Sequence, residues 1–319
     1  MTTVAVLVPT WRRPHDLARC LRALRDQRRR PDRVLVVRRP DDEASAEVLA
    51  AERDGLRLDE VLVHEPGQVA ALNAGLDALS EDVVAITDDD AAPRPDWLER
   101  IAAWFARDRR LGALGGRDWV YHGRELQDGV ERTVGRVAWY GRFIGFHHLG
   151  WGSPREVDFL KGTNMSYRRA AIAGFVFDPQ LRGGGAQYHN DWAMSLAVKH
   201  AGWRVIYDPE VAIDHYETAR PASGQRIARG RRDDAARSVA RAKAFNETYV
   251  ASRYLPPLRA VAHLLWVLIF GTSNAPGPAL ALVRVREWGG PRAAAIELIG
   301  SLRARLGGAV AGVRERLPH

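Results

Sequence analysis

The sequence has little cysteine: Cys20 is the only one among 319 residues, which excludes an internal disulfide. Cys20 lies among Leu17, Leu21 and Leu24 at helical spacing, so we expect a buried, inert thiol. A chain without disulfides is compatible with a reducing compartment. Internal repeats and low-complexity tracts are missing as well, so the organisation has to be inferred from individual segments.

A secretory signal is also missing from the printed sequence. A strand-like segment begins at Val4, and no charged stretch followed by an apolar segment precedes it. We therefore expect a cytoplasmic location. The uncharged stretch 260–283 is interrupted by Gly271–Pro278, and the run 260–270 is shorter than the roughly 20 residues that a membrane-spanning helix needs. This part is expected to form a helix–turn–helix that lies on a membrane or packs on the core.

Positive charge is unevenly distributed. The formal net charge is +8, yet residues 220–319 hold 17 Arg or Lys against 6 Asp or Glu, a local balance of +11. The remaining residues therefore carry −3. A basic segment of this kind can meet nucleic acid, anionic lipid or another polyanion.

Apolar periodicity predicts alternating strands and helices in the first hundred residues. Such alternation implies crossover connections and a mostly parallel sheet, and hence an α/β fold. A further helix and two strands are predicted before residue 216, followed by basic helices. The predicted strands are 4–8, 34–37, 61–64, 83–87, 203–207 and 211–215, and the predicted helices follow Pro14 and cover 45–53, 69–79, 95–105 and 191–201. We divide the chain into a domain at 1–219 and a basic helical extension at 220–319.

Three consecutive acids, Asp88, Asp89 and Asp90, follow the apolar segment 83–87. They fall at the carboxyl end of a predicted strand, where open α/β sheets bind ligands. Adjacent carboxylates repel one another and are not buried unpaired, so a divalent cation is the simplest way to hold them. A solvated acidic turn is the alternative.

Several motifs accompany the acidic triplet along the chain: Pro9-Thr10-Trp11-Arg12, Gly67–Leu76, Lys161-Gly162-Thr163-Asn164, Asn190-Asp191 and His215. Their order resembles that of glycosyltransferase family 2, the nucleotide-sugar-dependent enzymes of A-type fold. The resemblance covers roughly residues 4–216. It implies an inverting transferase that moves a sugar from a nucleotide diphosphate sugar to the hydroxyl of a glycan or lipid-linked acceptor.

The resemblance also implies roles for the acids. Asp90 matches the acid that contacts a divalent metal, Mn²⁺ or Mg²⁺. Asp88 matches the acid that lies towards the nucleotide ribose, and we include Asp88 together with Asp90 among the expected metal-binding residues. His215 matches a histidine that binds the metal in part of the family. Asp191 matches the general base; a helix cap is its alternative role. Asn190 stands where the family often has Glu.

Donor binding is implied for the remaining matched residues. The first loop is expected to contact the nucleotide, and the Gly162 segment to line the donor sugar and the acceptor. The expected donor-binding residues are Pro9, Thr10, Arg12, Asp41, Asn73, Asp88, Asp89, Lys161, Gly162 and Asn164.

The sequence departs from the family pattern after the second strand. Arg38 stands where an acid usually reads the base, and a guanidinium cannot accept a hydrogen bond. Asp41 or Asp42 is expected to substitute for it. The Gln-x-x-Arg-Trp segment of processive synthases is absent, which favours transfer of a single sugar.

Two rival functions remain at this stage. A nucleotidyltransferase that makes nucleotide sugars would usually carry a Gly-rich loop after the first strand, and the segment 9–13 has no glycine. A nucleic-acid-binding protein would explain the basic extension, but no nucleic-acid module is recognisable. We therefore expect no nucleic-acid partner.

Two further surfaces are singled out. Aromatic residues between 117 and 159 form either a satellite core or an acceptor-binding wall. The tail places Ile299, Leu302, Leu306, Val310, Val313 and Leu317 at helical spacing, as in a surface helix or a basic amphipathic helix on a membrane. Combined with the +11 charge, this pattern predicts peripheral association with the inner face of the cell membrane.

Overall fold

The computed structural model describes residues 2–216, 234–272, 275–283, 285–286 and 290–316. It divides into two compact units. The first contains the described residues of Met1–Arg136, Ile144–Asp178 and Asn190–Thr218, and the second those of Val137–Phe143, Pro179–His189 and Ala219–His319. Leu317 and the basic residues of 220–233, which the sequence analysis included in the extension, lie outside the described residues.

Strands and helices alternate in the first hundred residues, as the periodicity predicts. The strands are β1 (Val4–Pro9), β2 (Arg33–Arg38), β3 (Leu58–Leu62), β4 (Val83–Thr87), β5 (Ala91–Pro93), β6 (Leu111–His122), β7 (Glu125–Leu126), β8 (Arg136–Val137), β9 (Phe143–Ile144), β10 (Arg155–Glu156), β11 (Asn164–Arg168) and β12 (Arg204–Tyr216). The helices are α1 (Pro14–Arg25), α2 (Glu43–Ala51), α3 (Gln68–Ala78), α4 (Trp97–Arg107), α5 (Arg169–Ile172), α6 (Asn190–His200), α7 (Asp234–Tyr254), α8 (Pro257–Ile269), α9 (Pro278–Val283) and α10 (Pro291–Arg314), with a 3₁₀ turn at His147–Leu149.

Helix α1 shows how the sequence specifies these elements. Pro14 occupies the first turn, where its missing N–H leaves no hydrogen bond unmade, and basic Arg22 and Arg25 lie in the last turn. Leu17 and Leu21 are buried on one face. Cys20 is buried with them, and burial raises the pKa of its thiol, as expected for an inert cysteine.

The first unit is built on a ten-stranded sheet whose main path runs β10-β12-β6-β11-β4-β1-β2-β3. Strands β3, β2, β1 and β4 are parallel, β6 is parallel to β12, and β11 is antiparallel to both of its neighbours. Leu7 of β1 pairs with Ile86 of β4. The loops that follow these two parallel strands therefore leave the sheet at the same edge, which brings the segment after Pro9 to the acidic triplet.

Helices cover both faces of this sheet, and strand residues alternate between two cores. Leu7, Leu35 and Ile86 belong to the core that includes Leu72 of α3. Their neighbours belong to the opposite core with α1, among them Val6, Val8, Val34 and Val36. Burial on both faces explains why these strands read as continuous apolar runs.

The predicted strands differ from the structure in several places. Strand β3 begins at Leu58 rather than at residue 61, because Leu58 is buried and the two acids that follow it, Asp59 and Glu60, pair with Leu35 and Val36 of β2. The two strands predicted at 203–207 and 211–215 form one strand, β12, with a register shift between Asp208 and Ile213. Strands β6 and β11, which are neighbours in the sheet, were not predicted; in β6 the glycines hide the β pattern.

The second unit is mainly helical. Helices α7 and α10 pack closely, because Gly308 and Gly312 of α10 lie against the backbone of Phe245 and Tyr249 of α7. A Cβ atom at either glycine would lie within 2.4 Å of a backbone oxygen of α7. Among the described residues, no helix is both long and apolar enough to cross a membrane.

Candidate active site

The acidic triplet lies directly after β4, at the carboxyl edge of the parallel strands. Asp89 and Asp90 are buried, with exposed fractions of 4% and 2%. The structure supplies a positive partner that the sequence analysis did not identify. Arg13 Nη1 donates to Asp89 Oδ1 at 2.8 Å and to Asp90 Oδ2 at 2.9 Å. The guanidinium thus holds two of the three acids together from the loop after β1.

Asp89 is engaged by both of its oxygens. Its second oxygen, Oδ2, accepts a hydrogen bond of 2.8 Å from Thr10 Oγ1. Burial raises the pKa of Asp89 to about 7, although Arg13 and Thr10 act in the opposite direction. The hydrogen bond between Thr10 and Asp89 therefore connects the first loop with the triplet. Their predicted contact with the donor stays a prediction.

Asp88 connects the triplet with two other predicted segments. Its oxygens accept hydrogen bonds of 3.2 Å from Gln68 Nε2 and from Thr163 Oγ1. Gln68 Oε1 in turn accepts a hydrogen bond of 3.3 Å from Asn190 Nδ2. Asn190 therefore has a role in place of the Glu that the family often carries: its amide supports Gln68, which donates to Asp88.

Asp191, the predicted base, opens α6 beside the same loop. Its Oδ2 accepts from the Gly162 N–H and its Oδ1 from the Trp192 N–H, both at 2.9 Å. Burial raises the pKa of Asp191 to about 6, while these backbone donors partly oppose the shift. The Asp191 carboxylate accepts a hydrogen bond from a backbone N–H in the first turn of α6. A helix-capping role is therefore compatible with the predicted role as general base.

Asp88 and Asp191 are brought together by two consecutive residues. Gly162 donates its backbone N–H to Asp191, and Thr163 donates its hydroxyl to Asp88. Along the chain, Asp88 is 75 residues from Thr163 and Asp191 is 29 residues from Gly162, so distant segments converge on this loop. The predicted donor-side acid and the predicted base lie on either side of one short loop.

His215 lies between two buried acids. Its Nε2 is 3.3 Å from Asp90 Oδ1, and its Nδ1 is 3.6 Å from Asp118 Oδ2. Burial lowers the pKa of His215, but the two carboxylates outweigh it and raise the pKa to about 9. The predicted pair of Asp90 and His215 is therefore adjacent in the structure.

Lys161 also binds Asp118, a residue that sequence reasoning missed. Lys161 Nζ contacts Asp118 Oδ2, and the Asp118 side chain is 1% exposed. Burial alone would raise the pKa of Asp118, but Lys161 and His215 outweigh it and hold the pKa well below its usual range. No local motif signals Asp118. Its position follows from the pairing of β6 with β12, in which it lies opposite Ile213.

The predicted nucleotide loop is held by acids of the loop after β2. Arg12 adopts a left-handed φ of 54°, and its N–H donates to Asp42 Oδ2 at 2.6 Å. Asp41 is exposed and lies 3.5 Å from Arg12 Nη2. The guanidinium groups of Arg12 and Arg39 both lie over the ring of Trp11, at 4.5 and 4.6 Å from its centre. Pro9 ends β1 at the base of this loop.

Arg38, which replaces the family's base-reading acid, is turned to a protein partner. Its Nε donates to Glu60 Oε2 at 2.9 Å. Asp42 is buried and also accepts from the hydroxyl of Ser45, so it stabilises the start of α2. Of the two candidate substitutes for the missing acid, Asp41 is therefore the exposed one. Its contact with the base stays a prediction.

Two predicted donor-binding asparagines have their amides bonded within the protein. Asn73 exchanges hydrogen bonds of 2.9 and 2.8 Å with the backbone of Phe177. Asn164 accepts from Trp97 Nε1 at 2.9 Å and donates to the Val211 carbonyl at 2.7 Å. These contacts position the loops around the site, and a direct role in donor binding remains a prediction for both residues.

The aromatic region contains both buried and exposed rings. In the first unit, Phe159 is buried and packs on Trp192 with ring centres 4.7 Å apart. Phe146 and Trp151 are 42% and 55% exposed. Some rings thus form core and others are exposed at the surface; acceptor binding by the exposed rings stays a prediction.

Comparison with curated proteins finds transferases. The chain is 26% identical over 170 residues to glucosyl-dolichyl phosphate glucuronosyltransferase of Haloferax volcanii, a match that covers 50% of this chain and 51% of the relative. It is 34% identical over 224 residues to pre-mycofactocin glycosyltransferase of Mycobacterium tuberculosis, covering 66% of this chain and 42% of the relative. The chain thus spans about half the length, or less, of these curated relatives.

Solved structures with the same fold cover almost the whole chain. The mannosyltransferase PcManGT from Pyrobaculum calidifontis, in complex with GDP-Man and Mn²⁺, has a TM-score of 0.58 and 20% identity, covering 98% of this chain and 86% of its own. S. aureus TarS 1-349 in complex with UDP-GlcNAc has a TM-score of 0.62 and 13% identity, covering 98% and 91%. At these identities the likeness shows an A-type transferase fold. The sequence model described as "Glycosyltransferase like family 2" matches residues 2–234, well over half of the chain, and the protein therefore belongs to glycosyltransferase family 2.

Proposed function

We propose that this protein is an inverting glycosyltransferase that moves a sugar from a nucleotide diphosphate sugar to an acceptor hydroxyl. The observation that carries the proposal is the loop Gly162-Thr163, which bonds Asp191 on one side and Asp88 on the other. A donor near Asp88 and an acceptor near Asp191 would then meet across this loop. Family membership and the nucleotide-sugar complexes of PcManGT and TarS support this donor class.

Asp191 is proposed as the general base. In a single displacement the acceptor oxygen attacks the anomeric carbon, the nucleotide diphosphate departs, and the hydroxyl proton passes to a carboxylate. A base is effective when its pKa lies near the working pH, and burial raises the pKa of Asp191 to about 6. The N–H groups of Gly162 and Trp192 fix the direction of the carboxylate.

Asp90 and His215 are proposed as protein ligands of a divalent cation, Mn²⁺ or Mg²⁺. Their ligand atoms are 3.3 Å apart, close to the separation of about 3 Å between adjacent ligands of an octahedral ion with bonds of about 2.1 Å. Imidazole as a ligand favours Mn²⁺.

The described residues contain no group of three or more His, Cys, Asp or Glu that could hold a metal. We therefore propose that donor phosphates complete the coordination, as is common for such ions. A bound divalent cation would act as a Lewis acid that neutralises the departing diphosphate. Asp88, included among the metal residues by resemblance, is bonded by Gln68 and Thr163 and is proposed on the donor side.

The acceptor is proposed to be a glycan or a lipid-linked glycan at the inner face of the cell membrane. Helix α8 of the second unit exposes Leu258, Val261, Leu265 and Ile269, which recur at helical spacing on one face. These side chains are 86%, 57%, 56% and 50% exposed. Large apolar residues exposed on one helix face are typical of a surface that lies on lipid.

A donor screen tests the transferase activity. We expect hydrolysis or transfer of one nucleotide sugar when purified protein is incubated with a panel of them, Mn²⁺ or Mg²⁺ and short glycan acceptors. The matched negative control is Asp191→Asn. If Asp191→Asn turned over the donor as fast as the wild type, the result would contradict the assignment of the site.

Vesicle binding tests the membrane proposal. Leu258→Asp with Leu265→Asp should reduce partitioning into vesicles by about tenfold or more, because two apolar side chains no longer enter the lipid. The matched control is Val130→Asp with Val176→Asp, which alters two exposed valines of the first unit. Equal partitioning by all three proteins, or none by the wild type, would remove the membrane proposal.

A further inference from the structure

A large cavity lies within the second unit and is lined by α7, α10 and the segment after Leu181. Its volume is about 930 Å³. Four of its lining residues are arginines: Arg182, Arg237, Arg241 and Arg303. Among the described residues that line the cavity, Asp234 is the one carboxylate, so these described residues carry a formal charge of +3.

Among the described residues, acids pair with only one of these four arginines. Arg237 donates to Glu297 Oε1 at 2.8 Å and to Asp234 Oδ1 at 3.1 Å. Within the part of the chain that the structure describes, the guanidinium groups of Arg182, Arg241 and Arg303 form no ion pair or hydrogen bond. Three cations around one cavity repel one another, and an anion inside it would relieve that repulsion.

Two of these arginines are held in place by packing. Arg182 lies over the ring of Phe245 at 3.5 Å, which leaves the edge of its planar guanidinium open. Its backbone is tied to α7 because the fully buried Asn246 bonds both its N–H and its carbonyl at 2.8 Å. Arg241 lies against Gly300, where a Cβ atom would be 2.4 Å from its Nε. Such preorganisation lowers the entropy lost when a ligand is bound.

The cavity also has an apolar wall. Ile296 and Ile299 of α10 line it and are 45% and 50% exposed. Arg303 follows Ile299 by four residues and so lies on the same helix face. The cavity therefore offers guanidinium groups next to uncovered aliphatic side chains.

We infer that this cavity binds the phosphate head group of a lipid, with Arg182, Arg241 and Arg303 on the phosphate and the two isoleucines on the start of the acyl or prenyl chain. Arginine forks match phosphate oxygens in a bidentate way, and the aliphatic wall distinguishes a lipid phosphate from a free anion. The inference rests on the proposed membrane association and deepens it, because it names the residues that recognise the lipid.

Vesicle binding of the full chain tests the site. The wild type and the variants are compared for binding to vesicles of phosphatidylcholine with phosphatidic acid as the minor component. All measurements use one salt concentration, since charge effects are screened by salt. Arg241→Gln with Arg303→Gln should weaken binding about tenfold or more, because each arginine loses charged hydrogen bonds to phosphate. The matched control is Arg292→Gln with Arg314→Gln, which removes two exposed arginines of α10 that do not line the cavity.

A soluble probe separates the site from general membrane attraction. Calorimetry with short-chain phosphatidic acid, kept below its micelle concentration, should show binding to the wild type and to the control but at least about tenfold weaker binding to the cavity variant. Ile296→Ser with Ile299→Ser should weaken this binding and leave that of inorganic phosphate unchanged. These measurements need no sugar donor, metal or catalysis, so they remain decisive if the transferase proposal fails.

Four results would overturn the inference. Equal losses in the cavity variant and its control would mean that only overall charge attracts the vesicles. Inorganic phosphate that binds the wild type as tightly as the short-chain lipid would remove the lipid assignment. Failure of the short-chain lipid to bind would remove the site while leaving the separate vesicle result for α8 intact. Tighter binding of single-stranded DNA, lost in the same variant, would assign the cavity to nucleic acid.

Discussion

Replacing Asp191 by asparagine tests the proposed base, and the structure defines two separate effects. Asp191 accepts one backbone N–H on each carboxylate oxygen, from Gly162 and from Trp192. An asparagine side chain has one acceptor oxygen, so one of these N–H groups loses its partner. We expect the free energy of unfolding to fall by about 1–3 kcal/mol.

The effect on catalysis should be much larger than this loss of stability. Without a proton acceptor at this position, turnover should fall by about 10²-fold or more, while donor affinity stays within a few-fold of the wild type. The pKa of about 6 also predicts the direction in which turnover changes with pH, because the ionised carboxylate is the active form. Wild-type turnover should therefore rise about tenfold between about pH 5 and about pH 7, and the variant should lack this rise.

Ser195→Ala is the matched control for stability. The buried Ser195 hydroxyl donates to the Asp191 carbonyl at 2.7 Å and accepts from the Leu160 N–H at 3.1 Å, so its loss should destabilise the same helix start by about 1–3 kcal/mol. The control retains the carboxylate and should keep the pH dependence. Turnover of Asp191→Asn near the wild-type value, or a wild-type profile that stays flat across this range, would refute the assignment.

Three further predictions concern the buried charges. Asp90→Ala, or excess chelator on the wild type, should abolish transfer in the donor assay while circular dichroism stays native; full activity in chelator would exclude a required cation. Arg13→Ala leaves Asp89 buried with Thr10 as its one remaining side-chain donor among the described residues, and should reduce the free energy of urea unfolding by about 3–5 kcal/mol, whereas Arg22→Ala, at an exposed position of the following helix α1, should cost at most about 1 kcal/mol. Asp118→Asn removes the shared partner of Lys161 and His215 and should cost a similar 3–5 kcal/mol or so, whereas Asp128→Asn, 75% exposed, should change stability by less than about 0.5 kcal/mol; equal losses for the two would contradict the buried network.

Much of the first unit could be predicted because its signals are local. Continuous apolar runs mark strands that are buried on both faces, and leucines at helical spacing mark α1. The acids after β4 follow a predicted strand, and Asp191 lies in the first turn of a predicted helix, so these two placements were predictable too. The alternation of these elements is what predicted the parallel sheet.

Strand β6 shows where local signals end. Its glycines read as a loop, yet Gly116 is required by a distant neighbour: a Cβ atom there would lie 1.7 Å from the Val211 carbonyl of β12. The requirement comes from packing between strands about a hundred residues apart. Nothing in the sequence near Gly116 contains that information.

The sequence by itself determined the order of the strands and helices up to β4 and placed the candidate acids at the ends of predicted elements, because both depend on neighbours a few residues away. Only the tertiary structure decided which charges meet. Arg13 reaches Asp89 and Asp90 because β1 and β4 are adjacent and parallel, and Asp118 reaches His215 because both lie in the part of the β6–β12 pairing that follows the register shift. Side chains meet across strands according to strand order and register, which long-range packing sets and local periodicity does not contain.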